Sequence, residues 1–86
     1  FRSEVKFNAT AILLISGPTA PNIESEIKAL LSEYSLSLND IQKIDMAGRL
    51  ILGIEISLDK AHFGAIEQET SALCSKAGFD FAMELV

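Results

Sequence analysis

The sequence predicts an α+β fold in which two helices cover one face of a four-stranded antiparallel sheet. Apolar patterns of strand, helix, strand, strand, helix and strand type follow one another within 86 residues. A loop with glycine and proline, residues 17–22, separates the first strand from the first helix, and Ala47-Gly48 joins the two middle strands. This is the order of the split βαβ motif, the ferredoxin-like plait, for which we expect the strand order 4-1-3-2.

The first strand is predicted over residues 8–16, a run rich in large aliphatic side chains that ends at Gly17-Pro18. A strand with one solvated face alternates apolar and polar residues, but residues 12–15 are all apolar. One pair must therefore face the helices while the other lies on the open face of the sheet. We expect Ile12 and Leu14 to be the open pair.

The first helix is predicted from Pro21 onward, because apolar residues then recur at helical spacing from Ile23 to Tyr34. Thr19 or Asn22 is expected to cap its start, since short polar side chains accept hydrogen bonds from the first turn.

The two middle strands are predicted to form a hairpin. Residues 36–46 form the second strand, with a bulge at Asn39-Asp40. Ile41 is out of phase with the other apolar residues of this strand, so we expect it on the open face. In the third strand the even-numbered residues from 50 to 58 are apolar, which places Ile51 on the open face as well.

The second helix is predicted from Asp59, as its cap, to Ala77, with Gly78 as the terminating glycine. Alternating apolar residues from Phe79 to Leu85 then predict the last strand.

The composition of the chain limits the classes of function that it can have. The net charge of −5 argues against binding to nucleic acid or to an anionic membrane surface. No apolar stretch approaches the roughly 20 residues of a transmembrane helix. Cys74 is the one cysteine, which favours a reducing cytoplasm. We interpret residues 1–86 as a single domain and, since the chain begins at Phe1, as a piece of a longer protein.

Residues with chemical potential are scattered along the sequence. His62 has no second histidine or cysteine near it, so we expect a surface residue and no metal site. Cys74 falls on the inner stripe of the second helix, where an unreactive core thiol is expected. No catalytic residue is predicted in this chain.

Other functions of this fold need residues that the sequence lacks. RNA-recognition sheets carry stacking aromatics, but the open face of the third strand offers Ile51, Gly53, Glu55 and Ser57. A copper chaperone needs two cysteines in the first loop, and an acylphosphatase needs an arginine there. Residues 17–22 contain neither.

The chain resembles the ACT domain over residues 9–86. The resemblance is carried by Gly17 with Pro21 four positions on, by the segments 41–44 and 48–56, and by the closing segment 77–81. The hairpin and closing segments are most similar to the N-terminal ACT domains of bacterial phosphoserine phosphatases of the actinobacterial type.

The resemblance implies a regulatory domain that pairs with another ACT domain, in a homodimer or within one chain, and binds a small amino acid such as serine at the interface. The ligand-binding residues that it implies are Gly17, Thr19, Pro21, Asn22, Ile23, Ser37 and Leu38. We expect the pairing surface to contain Ile12, Leu14, Ile41 and Ile51. No cofactor is expected in this chain; magnesium is implied only for the catalytic domain of a parent phosphatase, a hydrolase.

The first loop departs from the family pattern Gly-x-Asp-x-Pro-Gly. Thr19 stands where that pattern has the aspartate that would pair with a ligand ammonium, and Asn22 stands where it has the second glycine. Ser37 stands where the second strand usually has an asparagine. An assembly module that has lost its ligand is therefore the alternative function, and an enzyme of the acylphosphatase type is a third.

Overall fold

The computed structural model describes residues 7–19 and 22–86, so Pro21 of the predicted ligand loop lies outside the described residues. The elements are β1 (Ala9–Pro18), α1 (Ile23–Leu31), β2 (Leu36–Met46), β3 (Arg49–Leu58), α2 (Phe63–Ala77) and β4 (Asp80–Leu85). All neighbouring strands are antiparallel, in the order β2-β3-β1-β4. The predicted ferredoxin-like plait is confirmed.

The core lies between the two helices and one face of the sheet. Its largest fully buried apolar side chains come from alternate positions of β1 and β3 and from single stripes of the helices: Leu13, Ile15, Leu52, Ile54, Ile56 and Leu58 from the strands, and Ile27, Leu31, Ile66 and Cys74 from the helices. Alternation on strands and the 3.6-residue period of helices place these residues on facing surfaces. Ala77, the last residue of α2, is exposed.

β1 continues past Ser16, through Gly17 and Pro18, where it still pairs with β3. Leu13 lies opposite Ile54, whose side chain is buried, so the odd-numbered residues of β1 face the helices. Ile12 and Leu14 consequently lie on the open face of the sheet.

β2 changes phase at its bulge, and this corrects one prediction. The register moves from Leu38 opposite Ile56 to Asp40 opposite Glu55, which leaves Asn39 as the extra residue. Ile41 therefore lies opposite Ile54 and packs against the core. The prediction that placed Ile41 on the open face is wrong, because a single inserted residue turns every later side chain to the other face.

The residues that the bulge turns outward are Ile44 and Met46. Ile44 lies opposite Ile51, and both are exposed on the open face. Ile44 therefore takes the place that the sequence pattern assigned to Ile41.

The β2–β3 turn is closed by two residues in the left-handed region, Ala47 (φ 52°) and Gly48 (φ 78°). Positive φ at both central positions defines the type I′ turn that matches the twist of a hairpin. This turn fixes the hairpin register from Met46 opposite Arg49 inward.

The helix ends follow the predictions in part. Asn22 precedes α1, but its side chain makes no capping hydrogen bond. The Thr19 hydroxyl donates to Asp45. Asp59 accepts from the amide of Ala61 and caps a 3₁₀ turn that leads into α2. Gly78 ends α2 at φ 81°, as predicted.

Candidate ligand site and docking face

The loop half of the predicted ligand site lies where β1 ends. A Cβ atom on Gly17 would lie 2.6 Å from Cδ2 of Phe79, so the glycine is required by the close approach of this buried ring. The Thr19 amide donates to the carbonyl of Gly48 (3.0 Å), which fixes the loop to the β2–β3 turn. Ile23 is buried in the core, whereas Asn22 is exposed.

Charged side chains of β2 and α1 lie beside this loop. The Thr19 hydroxyl donates to Oδ1 of Asp45 at 3.4 Å. Glu24 contacts Lys28 at 3.2 Å and Lys43 at 3.6 Å. The hydrogen bond from Lys28, with the charges of both lysines, lowers the pKa of Glu24. The loop after β1 and the neighbouring part of β2 thus present a carboxylate (Asp45), a hydroxyl (Thr19) and an ammonium group (Lys43) to the solvent.

Asp45 and Lys43 are functional candidates that sequence reasoning missed. Asp45 lies opposite Leu50, which lies opposite Gly17, so the three residues form one row across the sheet. The hairpin turn predicts the first pairing. The second depends on the register of β1 against β3, which no turn connects and no local pattern fixes.

The β2 half of the predicted site is divided between the two faces of the sheet. The Ser37 hydroxyl donates to Oδ1 of Asn39 (3.2 Å), and Nδ2 of Asn39 donates to the hydroxyl of Ser57 (2.8 Å). Leu38 faces the helix side at the outer edge, where it is 40% exposed. Leu38 thus remains partly exposed to solvent although it lies on the core-facing side of the sheet.

The two halves are far apart within one chain. Ser37 lies in the row of Thr10 and Ser57, while Gly17 lies seven residues further along β1. Seven residues of an antiparallel strand span about 23 Å. Gly17, Thr19, Asn22 and Ile23 therefore lie together, and Ser37 and Leu38 lie at the other end of the sheet.

The open face of the sheet carries an apolar patch. Ile51 (41% exposed) and Leu14 (49%) lie near its centre, and Ile44 (49%) and Met46 (62%) extend it to the β2 edge. Ile12 adjoins Leu14 along β1 and is partly buried. A shallow depression of about 360 Å³ between β1, β3 and β4 includes Leu14, Ile51 and Ala82. We call the open-face residues Ile12, Leu14, Ile44, Met46 and Ile51 the docking face.

The remaining candidates of chemical interest lie outside these regions. His62 is exposed, and Cys74 is fully buried on α2. Burial raises the pKa of the Cys74 thiol to about 11, so the thiolate is scarce at neutral pH. Over residues 7–19 and 22–86, no group of three or more His, Cys, Asp or Glu side chains is arranged to hold a metal ion. The helices in these ranges are too short or too polar to cross a membrane.

Comparison with known proteins identifies the family. The family profile described as the ACT domain matches residues 9–84. The chain is 26% identical over 77 residues to phosphoserine phosphatase SerB2 of Mycobacterium tuberculosis, covering 87% of this chain and 19% of that protein. It spans about a fifth of the length of this curated relative.

Two solved structures share the fold. An ACT domain protein from Streptococcus pneumoniae superposes with a TM-score of 0.78 at 18% identity, over 90% of this chain and 89% of that one. The regulatory subunit of aspartate kinase from Thermus thermophilus, in its ligand-free form, gives 0.71 at 14% identity, over 88% of this chain and 50% of that one. Because the profile covers nearly all of β1 to β4, this chain belongs to the ACT domain family of regulatory domains.

Proposed function

We propose that this domain senses an amino acid, with serine as the first candidate, and that the ligand lies between two ACT domains. The domain would regulate a phosphoserine phosphatase of serine biosynthesis in the cytoplasm, and its ligand-dependent pairing would bias the distant catalytic part. The similarity to phosphoserine phosphatase SerB2 supports serine and this parent enzyme.

The observation that carries the proposal is the separation of the two halves of the site. The loop with Thr19 and the β2 segment with Leu38 lie at opposite ends of the sheet, about 23 Å apart along the strands. One small amino acid cannot touch both halves in one chain. A ligand site that contains both halves therefore requires a second copy of the chain.

Pairing along β2 would join the halves. β2 is an edge strand of 11 residues, and its outer backbone groups can add a strand. Two β2 strands in an antiparallel pair, related by a two-fold axis near Ile41, would place Leu38 of one copy opposite Lys43 of the other, because the extra residue Asn39 shifts the register by one. The second copy's Leu38 would then lie on the helix side at the level of Ile15, beside Lys43 and one same-face position from Asp45, the residue that contacts Thr19.

The charged groups beside Thr19 are complementary to a zwitterionic amino acid. The Asp45 carboxylate and the Thr19 hydroxyl lie within 3.4 Å of each other, and together they would accept hydrogen bonds from a ligand ammonium. The exposed amide of Asn22 and the ammonium of Lys43 would take the ligand carboxylate. Asp45 thus supplies the charge that the loop lacks at Thr19.

Calorimetric titration with L-serine, together with sedimentation at the same protein concentrations, tests the proposal. We expect heat with L-serine, little or none with D-serine, and a shift toward dimer in the presence of the ligand. Association that is unchanged by any amino acid would contradict the sensing function and favour the ligand-free assembly module. Phosphatase turnover by the isolated chain would contradict both.

A further inference from the structure

β4 is the second edge of the sheet, and the ladder shows which of its backbone groups point outward. The Val86 amide donates to the carbonyl of Thr10 (2.9 Å), which makes these two residues a hydrogen-bonded pair in line with the β1–β4 register. Every second pair of an antiparallel ladder exchanges hydrogen bonds, so the even-numbered residues of β4 bond to β1. The N–H and C=O groups of Phe81, Met83 and Leu85 therefore point away from β1. Within the described part of the chain, no strand pairs with them.

An open groove of about 440 Å³ lies beside this edge, between α2 and β4. Met83 lies opposite the buried Leu13, so the odd-numbered side chains of β4 point to the helix side, and Phe81 lines the groove. On the α2 wall, a Cβ atom added to Gly64 would meet none of the described residues within 4 Å beyond its own helix backbone. A strand added to β4 would place every second side chain in this groove.

The edge is acidic on both sides of the sheet. Asp80 and Glu84 are exposed on the open face of β4, and Glu67 lies at the groove. A second copy of β4, paired antiparallel about Ala82, would put Asp80 opposite Glu84 at both ends. Like charges directly opposite each other destabilise a sheet, whereas opposite charges stabilise it. The charges therefore disfavour self-pairing and favour a basic strand.

We propose that β4 binds an extended basic segment of another protein, which joins the sheet as a fifth strand antiparallel to β4. Aliphatic residues of this segment lie opposite Phe81 and Met83, with their side chains in the groove. Lysines or arginines alternate with them and lie on the open face beside Asp80 and Glu84. In strand addition of this kind the backbone hydrogen bonds supply affinity and the alternating side chains supply selectivity. This binding is independent of the proposed serine site, which uses the opposite edge strand, β2.

Titration of the isotope-labelled chain with the blocked peptide Lys-Val-Lys-Val-Lys-Val-Lys tests the proposal. We expect saturable binding, with the largest NMR shifts on β4 and slower hydrogen exchange at the amides of Phe81 and Met83. Two peptides of the same charge separate strand addition from simple charge attraction. One carries N-methyl groups on every valine and lacks those donors, and the other, Lys-Lys-Lys-Lys-Val-Val-Val, lacks the alternation. Each should bind at least about tenfold more weakly.

Charge reversal on the protein tests the acidic edge. The double variant Asp80→Lys/Glu84→Lys should bind the alternating basic peptide at least about tenfold more weakly, and it should bind the peptide with glutamate in place of each lysine. Gly64→Leu would place a side chain in the groove and should weaken peptide binding while the chain stays folded. The matched control Glu26→Lys/Glu33→Lys makes the same charge change at exposed positions on and just after α1, and it should bind like the wild type.

Wild-type affinity in the Asp80→Lys/Glu84→Lys variant, or equal binding of the alternating and the clustered peptide, would overturn the proposal. So would unchanged hydrogen exchange on β4, or no response at millimolar peptide. Self-association that this variant loses would assign the edge to a second copy and would also overturn it. A serine response in calorimetry without peptide binding would leave the proposed function standing, and peptide binding without a serine response would refute the serine site alone.

Discussion

A substitution of Gly17, near the end of β1, can distinguish a role in packing from a role in ligand binding. Gly17→Ala would place a methyl group 2.6 Å from Cδ2 and 2.8 Å from Cγ of Phe79. Relief needs a movement of about 1 Å between groups that normally touch at about 3.5–4 Å. Phe79 is buried, and its amide donates to the carbonyl of Cys74 at 2.8 Å, so the ring has little freedom to retreat.

Overpacking of this kind costs about 1–3 kcal/mol, and we expect Gly17→Ala to lower the free energy of unfolding by that amount. Urea denaturation at low micromolar protein concentration measures it. The double variant with Phe79→Leu should show a coupling of about 1 kcal/mol or more, since the smaller side chain leaves room for the new methyl group.

Gly53→Ala is the matched control, in the strand next to β1. The added methyl group would have Cδ2 of Leu14 as its nearest atom, at 3.8 Å, which is an ordinary contact. The free energy of unfolding should therefore be unchanged or rise by up to about 1 kcal/mol. If Gly17→Ala is as harmless as Gly53→Ala but abolishes the serine response, the glycine serves the ligand and the packing argument is refuted.

Three further changes test other parts of the fold. Ala47→Asn should raise the free energy of unfolding by about 0.5–1 kcal/mol, because asparagine tolerates the left-handed turn position better than alanine; a lower melting temperature would contradict this. Thr70→Val should stabilise by about 1 kcal/mol, because the buried Thr70 hydroxyl has no hydrogen-bond partner among residues 7–19 and 22–86; a loss in urea denaturation would mean that the hydroxyl is satisfied. Burial raises the pKa of the Cys74 thiol from 9.0 to about 11, so the unfolded chain releases this proton first and stability should fall as the pH rises from about 9 to 11. Cys74→Ala, measured over the same pH range, should lose less, and an equal loss would assign the effect to other groups.

Much of the fold could be predicted because local patterns determine it. The alternation from Leu50 to Leu58 and the two-residue turn at Ala47-Gly48 fix β3 and its hairpin without any long-range information. The glycine that ends α2 is equally local, since a left-handed residue stops a helix wherever it occurs.

The errors arose where a local pattern has more than one solution. The bulge in β2 was predicted, but its consequence for Ile41 was not, because the pattern does not say which residue is the extra one. The hydrogen bond between Thr19 and Asp45 was missed because it depends on the long-range pairing of β1 with β3. Thr19 was expected to cap α1, yet its hydroxyl turns to that aspartate.

Complementation between two defective chains is the most direct test of a ligand site shared by two copies. Thr19→Arg would occupy Asp45 and block the loop half, and Leu38→Phe would fill the space on the β2 half while keeping an apolar edge. Each variant alone should lose the calorimetric response to L-serine. In a 1:1 mixture half of the dimers are mixed, and each mixed dimer has one of its two sites free of both substitutions, so about one quarter of the sites should bind serine again. A mixture as silent as the single variants would contradict a site built from the loop of one copy and the edge strand of the other.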